Sequence, residues 1–241
     1  TGFMFENHRK MFEHVLEKEG VNYDFVQNEG SARTNYKIID KKSMLTEIND
    51  RGEEVDREKQ LALIEKVRAL SEESEITVMS GSLPKGVEPS FYGEVLKAIP
   101  SRVKVIVDTE KANMLAAINA REIFMAKPNV KELEKFSGMT VNTKYDMAVA
   151  AKKYLDSGVK YVLVSMGADG AVLTDGHENY YCKSASVAVN STVGAGDSMI
   201  AAACVAESLG VSPQELLRRA VAAGTAAVTT SGTNLFYKEK Y

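Results

Sequence analysis

Cysteine is scarce in this sequence: Cys182 and Cys204 are the only two in 241 residues, and they stand far apart without a C-x-x-C spacing. That excludes a disulfide framework or a cysteine zinc site and leads to the expectation of a reducing, cytoplasmic setting. A basic excess is missing as well. Lys and Arg number 30 against 33 Asp and Glu, a net charge of −3, so nothing points to nucleic acid or an anionic membrane as partner. Long apolar runs are absent too: the longest uncharged one, Met199 to Ala206, is far below the roughly 20 residues that span a bilayer. Nor is there an internal repeat, a linker or a low-complexity segment. What remains, 44% hydrophobic and 26% charged residues, has the balance of an ordinary globular chain of α/β size.

The apolar residues Phe5, Phe12, Val15 and Leu16 recur at helical spacing, with Gly20 as a stop, and predict a first helix. From Tyr23 to Ile48 the pattern changes to short β-rich runs, 24–27, 34–39 and 44–48, separated by turn residues at 28–30 and 40–42. This stretch is expected to form an antiparallel flap over about residues 23–50. After Gly52 helices near 56–70, 89–98, 111–119, 129–136 and 145–157 alternate with strands 76–80, 103–108, 123–126 and 161–166. The strands are continuous apolar runs, as strands covered on both faces must be, so the alternation predicts a parallel sheet between helical layers. Runs at 171–174, 178–182 and 187–189 predict an antiparallel edge, and two Ala-rich helices follow at 195–208 and 213–229. One domain with a flap is expected.

The segment Ser191-Thr192-Val193-Gly194-Ala195-Gly196-Asp197-Ser198 carries the clearest chemistry. Small residues let the backbone approach an anion, and amides at a helix N-terminus form a cradle for negative charge. Asp197, in the first helical turn, is placed to accept a proton from an attacking hydroxyl while the amides hold charge on a transferring phosphoryl group. The alternative is a Gly-eased turn with an Asp favoured by the helix dipole. No G-x-x-x-x-G-K-[ST] string occurs, and Met199 stands where a dinucleotide fingerprint needs Gly or Ala, which disfavours a nicotinamide dehydrogenase.

Three further loops leave predicted strands at their C-terminal ends. In Lys127-Pro128-Asn129-Val130-Lys131-Glu132, Asn129 and Glu132 fit a capping box, or can face a hydrated Mg²⁺ while Lys127 faces nucleotide phosphate. Ser165-Met166-Gly167-Ala168-Asp169-Gly170 is a hairpin turn that can also pass close to a nucleotide. Ser80-Gly81-Ser82-Leu83-Pro84-Lys85-Gly86 offers hydroxyls and amides to a polar ligand. Ligands of open α/β sheets bind at that strand edge.

On these motifs the chain resembles the ribokinase-like carbohydrate kinases of the PfkB family over essentially its whole length, and within them the branch that phosphorylates fructose 1-phosphate. The resemblance implies transfer of the ATP γ-phosphoryl group to O6 of that sugar, with Asp197 as general base and the amides of Gly194, Ala195 and Gly196 as anion hole. It further implies nucleotide contacts from Lys127, Ser165, Met166, Gly167, Ala168, Asp169, Gly170, Ser191 and Thr192, and a magnesium ion near Asn129 and Glu132. Arg33-Thr34-Asn35-Tyr36-Lys37 is similar to the segment that holds the sugar's phosphate, which marks Arg33, Asn35 and Lys37 as acceptor-site residues beside Ser80, Gly81 and Ser82. Pairing of two copies through the flap is also implied.

The sequence departs from the family pattern in places. The family's sugar-binding Asp on a first strand and its Gly-Gly-Lys-Gly loop are not present, and the chain opens at Thr1 rather than Met, so residues 1–241 are expected to be one ribokinase-like domain without the N-terminal segment. In Asp108-Thr109-Glu110-Lys111 relatives usually place Ser or Cys and Gly after the Asp. Two alternatives follow: tagatose 6-phosphate as the acceptor, or a non-catalytic nucleotide-binding fragment.

Overall fold

The computed structural model describes residues 1–39, 45–50 and 52–230. Two compact units divide the chain, one of Thr1–Glu73 with Ser82–Pro100 and one of Ser74–Gly81 with Ser101–Tyr241.

In the first unit β1 (Phe3–Phe5) runs into α1 (Glu6–Lys18), followed by β2 (Val26–Asn28), β3 (Asn35–Ile39) and β4 (Leu45–Asn49). The flap expected from sequence is corrected at its first strand. β2 pairs in parallel with β1, Phe3 opposite Val26, and among the described residues of this unit the antiparallel ribbon consists of β3 and β4, with Tyr36 opposite Ile48. The turn expected at 40–42 and the strand start at Met44 lie outside the described residues. Asp56 caps α2 (Arg57–Ser71) by accepting from Lys59 N, and α2 packs against α3 (Ser90–Ala98).

The second unit is built on a six-stranded sheet. β5 (Ile76–Ser80), β6 (Lys104–Asp108), β7 (Ile123–Ala126) and β8 (Val159–Ser165) run parallel, and β9 (Ala171–Thr174) and β10 (Asn179–Cys182) add an antiparallel edge, in the order β10-β9-β8-β7-β6-β5. The third expected edge strand, 187–189, does not form a strand with any of the described residues. Helices α4 (Lys111–Ala120), α5 (Val130–Ser137) and α6 (Lys144–Leu155) contact β6, β8 and β9, while α7 (Ala195–Ser208) pairs with α8 (Pro213–Ala227), which lies on β9 and β10. Strand alternation serves both layers. Ile106, Phe124, Leu163 and Leu173 pack into a buried cluster with Ile200, Ala203, Leu217 and Val221 of α7 and α8. The intervening Val105, Val107, Val162 and Val164 are buried beneath the other helices.

This is the α/β architecture expected, a mainly parallel sheet flanked by helices, with a small antiparallel ribbon. Because β5 to β8 are parallel, Ser80, Asp108, Ala126 and Ser165 all end at one rim. Among the described residues no helix is long and apolar enough to cross a membrane.

Candidate active site

The rim is stitched together by backbone and side-chain hydrogen bonds. Gly81 N donates to Asp108 O at 3.1 Å, Thr109 Oγ1 donates to Gly81 O at 2.9 Å, and the buried Asn113 amide donates to Thr109 Oγ1 at 2.9 Å. Lys127 N donates to Val107 O at 3.2 Å and Ser165 N to Pro128 O at 3.0 Å, so the loops after β5, β6, β7 and β8 form one continuous row.

α7 starts at this rim. Its N-cap is Gly194 at φ +78°, a left-handed conformation that a side chain would strain, and no side chain among the described residues caps the helix. The first intrahelical bonds are Ser198 N and Ser198 Oγ to Gly194 O, at 2.9 and 2.8 Å, so the N–H groups of Ala195, Gly196 and Asp197 precede the hydrogen-bond ladder and face outward. The Asp197 side chain is exposed. A Cβ built on Gly196 would stand 3.0 Å from Lys127 Nζ, which puts that ammonium against the first turn of α7.

Lys127 is buried, its side chain 6% exposed, and is paired at 3.1 Å with Asp108 Oδ2. Burial raises the Asp108 carboxyl above the ordinary carboxylate range; Lys127 pulls it down, and the charges of Glu132 and Asp197 push it up again. Tyr154, on α6, is pushed up by burial and then by Glu132 and Asp108. Sequence reasoning marked Asp108 only as the start of a loop that departs from the family pattern and did not foresee its pairing with Lys127. The available signal was its position, a charge ending the apolar run Val105-Ile106-Val107 just as Lys127 ends Phe124-Met125-Ala126.

Asn129 and Glu132 form the expected capping box of α5: Asn129 Oδ1 accepts from Glu132 N at 3.0 Å and Glu132 Oε2 from Asn129 N at 2.9 Å. Glu132 Oε1 stays outside the cap. Among the described residues no group of three or more His, Cys, Asp or Glu could hold a metal by itself. Asn129 and Glu132 alone would fit only a cation that keeps most of its waters, as magnesium does.

The loop after β8 is a short 3₁₀ turn, Gly167–Asp169, closed by Met166 N to Gly170 O at 2.8 Å. Ser184 Oγ donates to Gly167 O at 3.3 Å and Tyr181 Oη to Asp169 O at 3.1 Å, which ties the turn to the chain leaving β10. That chain and α8 bound a cleft of about 280 Å³ lined by Lys183, Val187, Val221, Ala222, Thr225 and Thr229. Asn190 Nδ2 donates to Thr229 O at 2.7 Å beside it, and Ser191 Oγ accepts from Val193 N at 3.2 Å; Thr192 is exposed.

The structure therefore brings together Ser80, Gly81, Lys127, Asn129, Ser165 and the first turn of α7. The remaining acceptor residues belong to the first unit: Arg33 and Asn35 are exposed near the start of the ribbon, Lys37 takes its backbone place opposite Glu47, and Ser82 begins the segment leading to α3.

The chain is similar to known sugar kinases. The 1-phosphofructokinase of Vibrio cholerae is 29% identical over 241 residues, 100% of this chain and 76% of that protein. Phosphofructokinase-2 from Escherichia coli, solved in complex with substrates and products, superposes with a TM-score of 0.89 at 30% identity, covering 99% of this chain and 78% of that one. Ribokinase of Arabidopsis thaliana, complexed with ribose and ATP, gives a TM-score of 0.76 at 25% identity over 97% of this chain and 76% of that one. The family model for pfkB family carbohydrate kinases matches residues 5–240, and the chain belongs to that family of sugar kinases.

Proposed function

We propose that the chain phosphorylates fructose 1-phosphate, transferring the γ-phosphoryl group of ATP to O6 and yielding fructose 1,6-bisphosphate and ADP. The observation that carries this reading is the first turn of α7, where the exposed Asp197 carboxylate stands beside three outward amides and the Lys127 ammonium. Asp197 accepts the proton of the attacking hydroxyl, and the amides of Ala195 and Gly196, with Gly194 allowing the turn, hold the charge that spreads over the transferring oxygens. Lys127 neutralises the nucleotide's terminal phosphate.

The cleft along α8 is wide and apolar enough to take the adenine base, with Ser165 to Gly170, Ser191 and Thr192 along the path from base to phosphates. Glu132, through Oε1, and Asn129 would hold the water shell of a magnesium ion, which would supply further neutralisation of the nucleotide's phosphates. Arg33, Asn35 and Lys37, with Ser80, Gly81 and Ser82, bind the sugar and its existing phosphate, Arg33 through its planar fork. The β3–β4 ribbon serves as the flap of this kinase, which works in a reducing cytoplasm.

A homodimer through the ribbon belongs to this reading. Tyr36, Ile38 and Ile48 share one ribbon face at 59%, 52% and 55% exposure, an apolar patch that a second copy would cover. The acceptor is tested with a coupled assay for ADP release on fructose 1-phosphate, fructose 6-phosphate and tagatose 6-phosphate. Fructose 1-phosphate is expected to give the highest kcat/KM; preference for tagatose 6-phosphate, or ADP release independent of any sugar, contradicts the proposal.

A further inference from the structure

The helix-terminus chemistry leaves the depth of the Lys127–Asp108 pair unexplained. The two residues follow Ala126 and Val107, which are register partners on neighbouring parallel strands, so they meet at the sheet's C-terminal edge, Asp108 as the last residue of β6 and Lys127 as the first past β7. Their side chains are 6% and 19% exposed. A pair this deep is a poor device for stability, because desolvating both charges offsets most of their attraction, and apolar residues of similar volume would serve the fold as well. Glu132 and Asp197 make the place costlier still for a third carboxylate.

What the pair does achieve is a fixed ammonium. Lysine carries four rotatable bonds and three donors, and ordering it at the moment of binding costs rotamer entropy. Here Asp108 Oδ2 takes one donor and holds Nζ beside Gly196, where the absence of a Cβ leaves it room against the first turn of α7. The other two donors are left for an anion seated on the same amides.

We infer that Asp108 is a positioning residue of the phosphate site, holding the Lys127 ammonium beside Gly196 so that lysine and helix amides meet one phosphate together. The inference rests on the kinase reading and adds to it a residue that acts through another. Its mark is coupling: once Lys127 is removed, Asp108 has nothing left to position.

The test is calorimetric titration of AMP-PNP with Mg²⁺ into the native chain, Asp108→Asn, Lys127→Met and the double variant, with thermal unfolding of each. Asp108→Asn is expected to weaken binding about tenfold or more. The double variant should bind no more than about twofold worse than Lys127→Met alone. Asp108→Glu, which keeps the charge but shifts the carboxylate by a methylene, is the second variant and should also lose affinity, whether or not Asp108→Asn folds. Additive losses would show that Asp108 serves a ligand of its own, and unchanged affinity in either Asp108 variant would show that it positions nothing; both overturn the inference alone. A native chain that does not bind AMP-PNP contradicts the kinase reading, and the inference falls with it.

Discussion

Gly196 and Lys127 occupy one space: a Cβ on the glycine would stand 3.0 Å from the lysine Nζ and 3.4 Å from its Cε. Gly196→Ala should therefore separate two properties that usually move together. Alanine favours the helix by roughly 1 kcal/mol over glycine. The same methyl displaces the ammonium, so Mg-ATP affinity is expected to fall about tenfold. Calorimetry and thermal unfolding on the same preparation check this; lower stability with intact binding contradicts it.

Gly170 makes a harsher demand. At φ +91°, an added Cβ would lie 2.0 Å from Cys182 O and 2.8 Å from Ser184 N, backbone atoms that cannot swing aside. Gly170→Ala is expected to cost about 3 kcal/mol or more in denaturant unfolding. A loss below about 1 kcal/mol would mean that the turn after β8 is not held against β10 as described.

Much of this architecture was legible because apolar runs and their polar boundaries agree. β5, β7, β9 and α7 fall where Ile76–Ser80, Ile123–Ala126, Ala171–Thr174 and Ala195–Ser208 were expected. The α5 cap was likewise readable from Asn129 and Glu132 three residues apart. β1 and β2 were not paired from sequence, since three-residue strands carry no periodicity and a parallel partner lies far along the chain. Val187 and Val189 have β propensity but no partner strand among the described residues, and Val189 is 60% exposed. Asp108 was visible as a strand-end residue opening an altered family loop; its pairing with Lys127 depends on the β6–β7 register, which no local pattern encodes.

Stability should depend on pH through Glu215. Hydrogen bonds from Arg218 and Arg219, at 2.7 to 2.8 Å, hold its carboxyl at about 2, below the ordinary 4.5. A depressed folded-state pKa means that the contribution is full above about pH 4.5 and is lost as pH falls through about 2. The difference in unfolding midpoint between the native chain and Glu215→Gln is expected to be small, as for any exposed pair, and to shrink across that window. A difference that stays constant from neutral pH to pH 2 contradicts the assignment.

The apolar face of the β3–β4 ribbon gives a prediction about assembly. If Tyr36, Ile38 and Ile48 meet a second copy, Ile48→Asp places an unpaired charge at that contact and should shift a dimer to monomer in sedimentation velocity. An unchanged sedimentation coefficient contradicts the ribbon interface.

The central claim concerns one carboxylate on the first turn of α7. Asp197→Ala, assayed for ADP release on fructose 1-phosphate beside calorimetry of Mg-ATP binding, should lower turnover by about 10² to 10⁴ and leave nucleotide affinity nearly intact. Turnover close to that of the native chain would contradict Asp197 as the base.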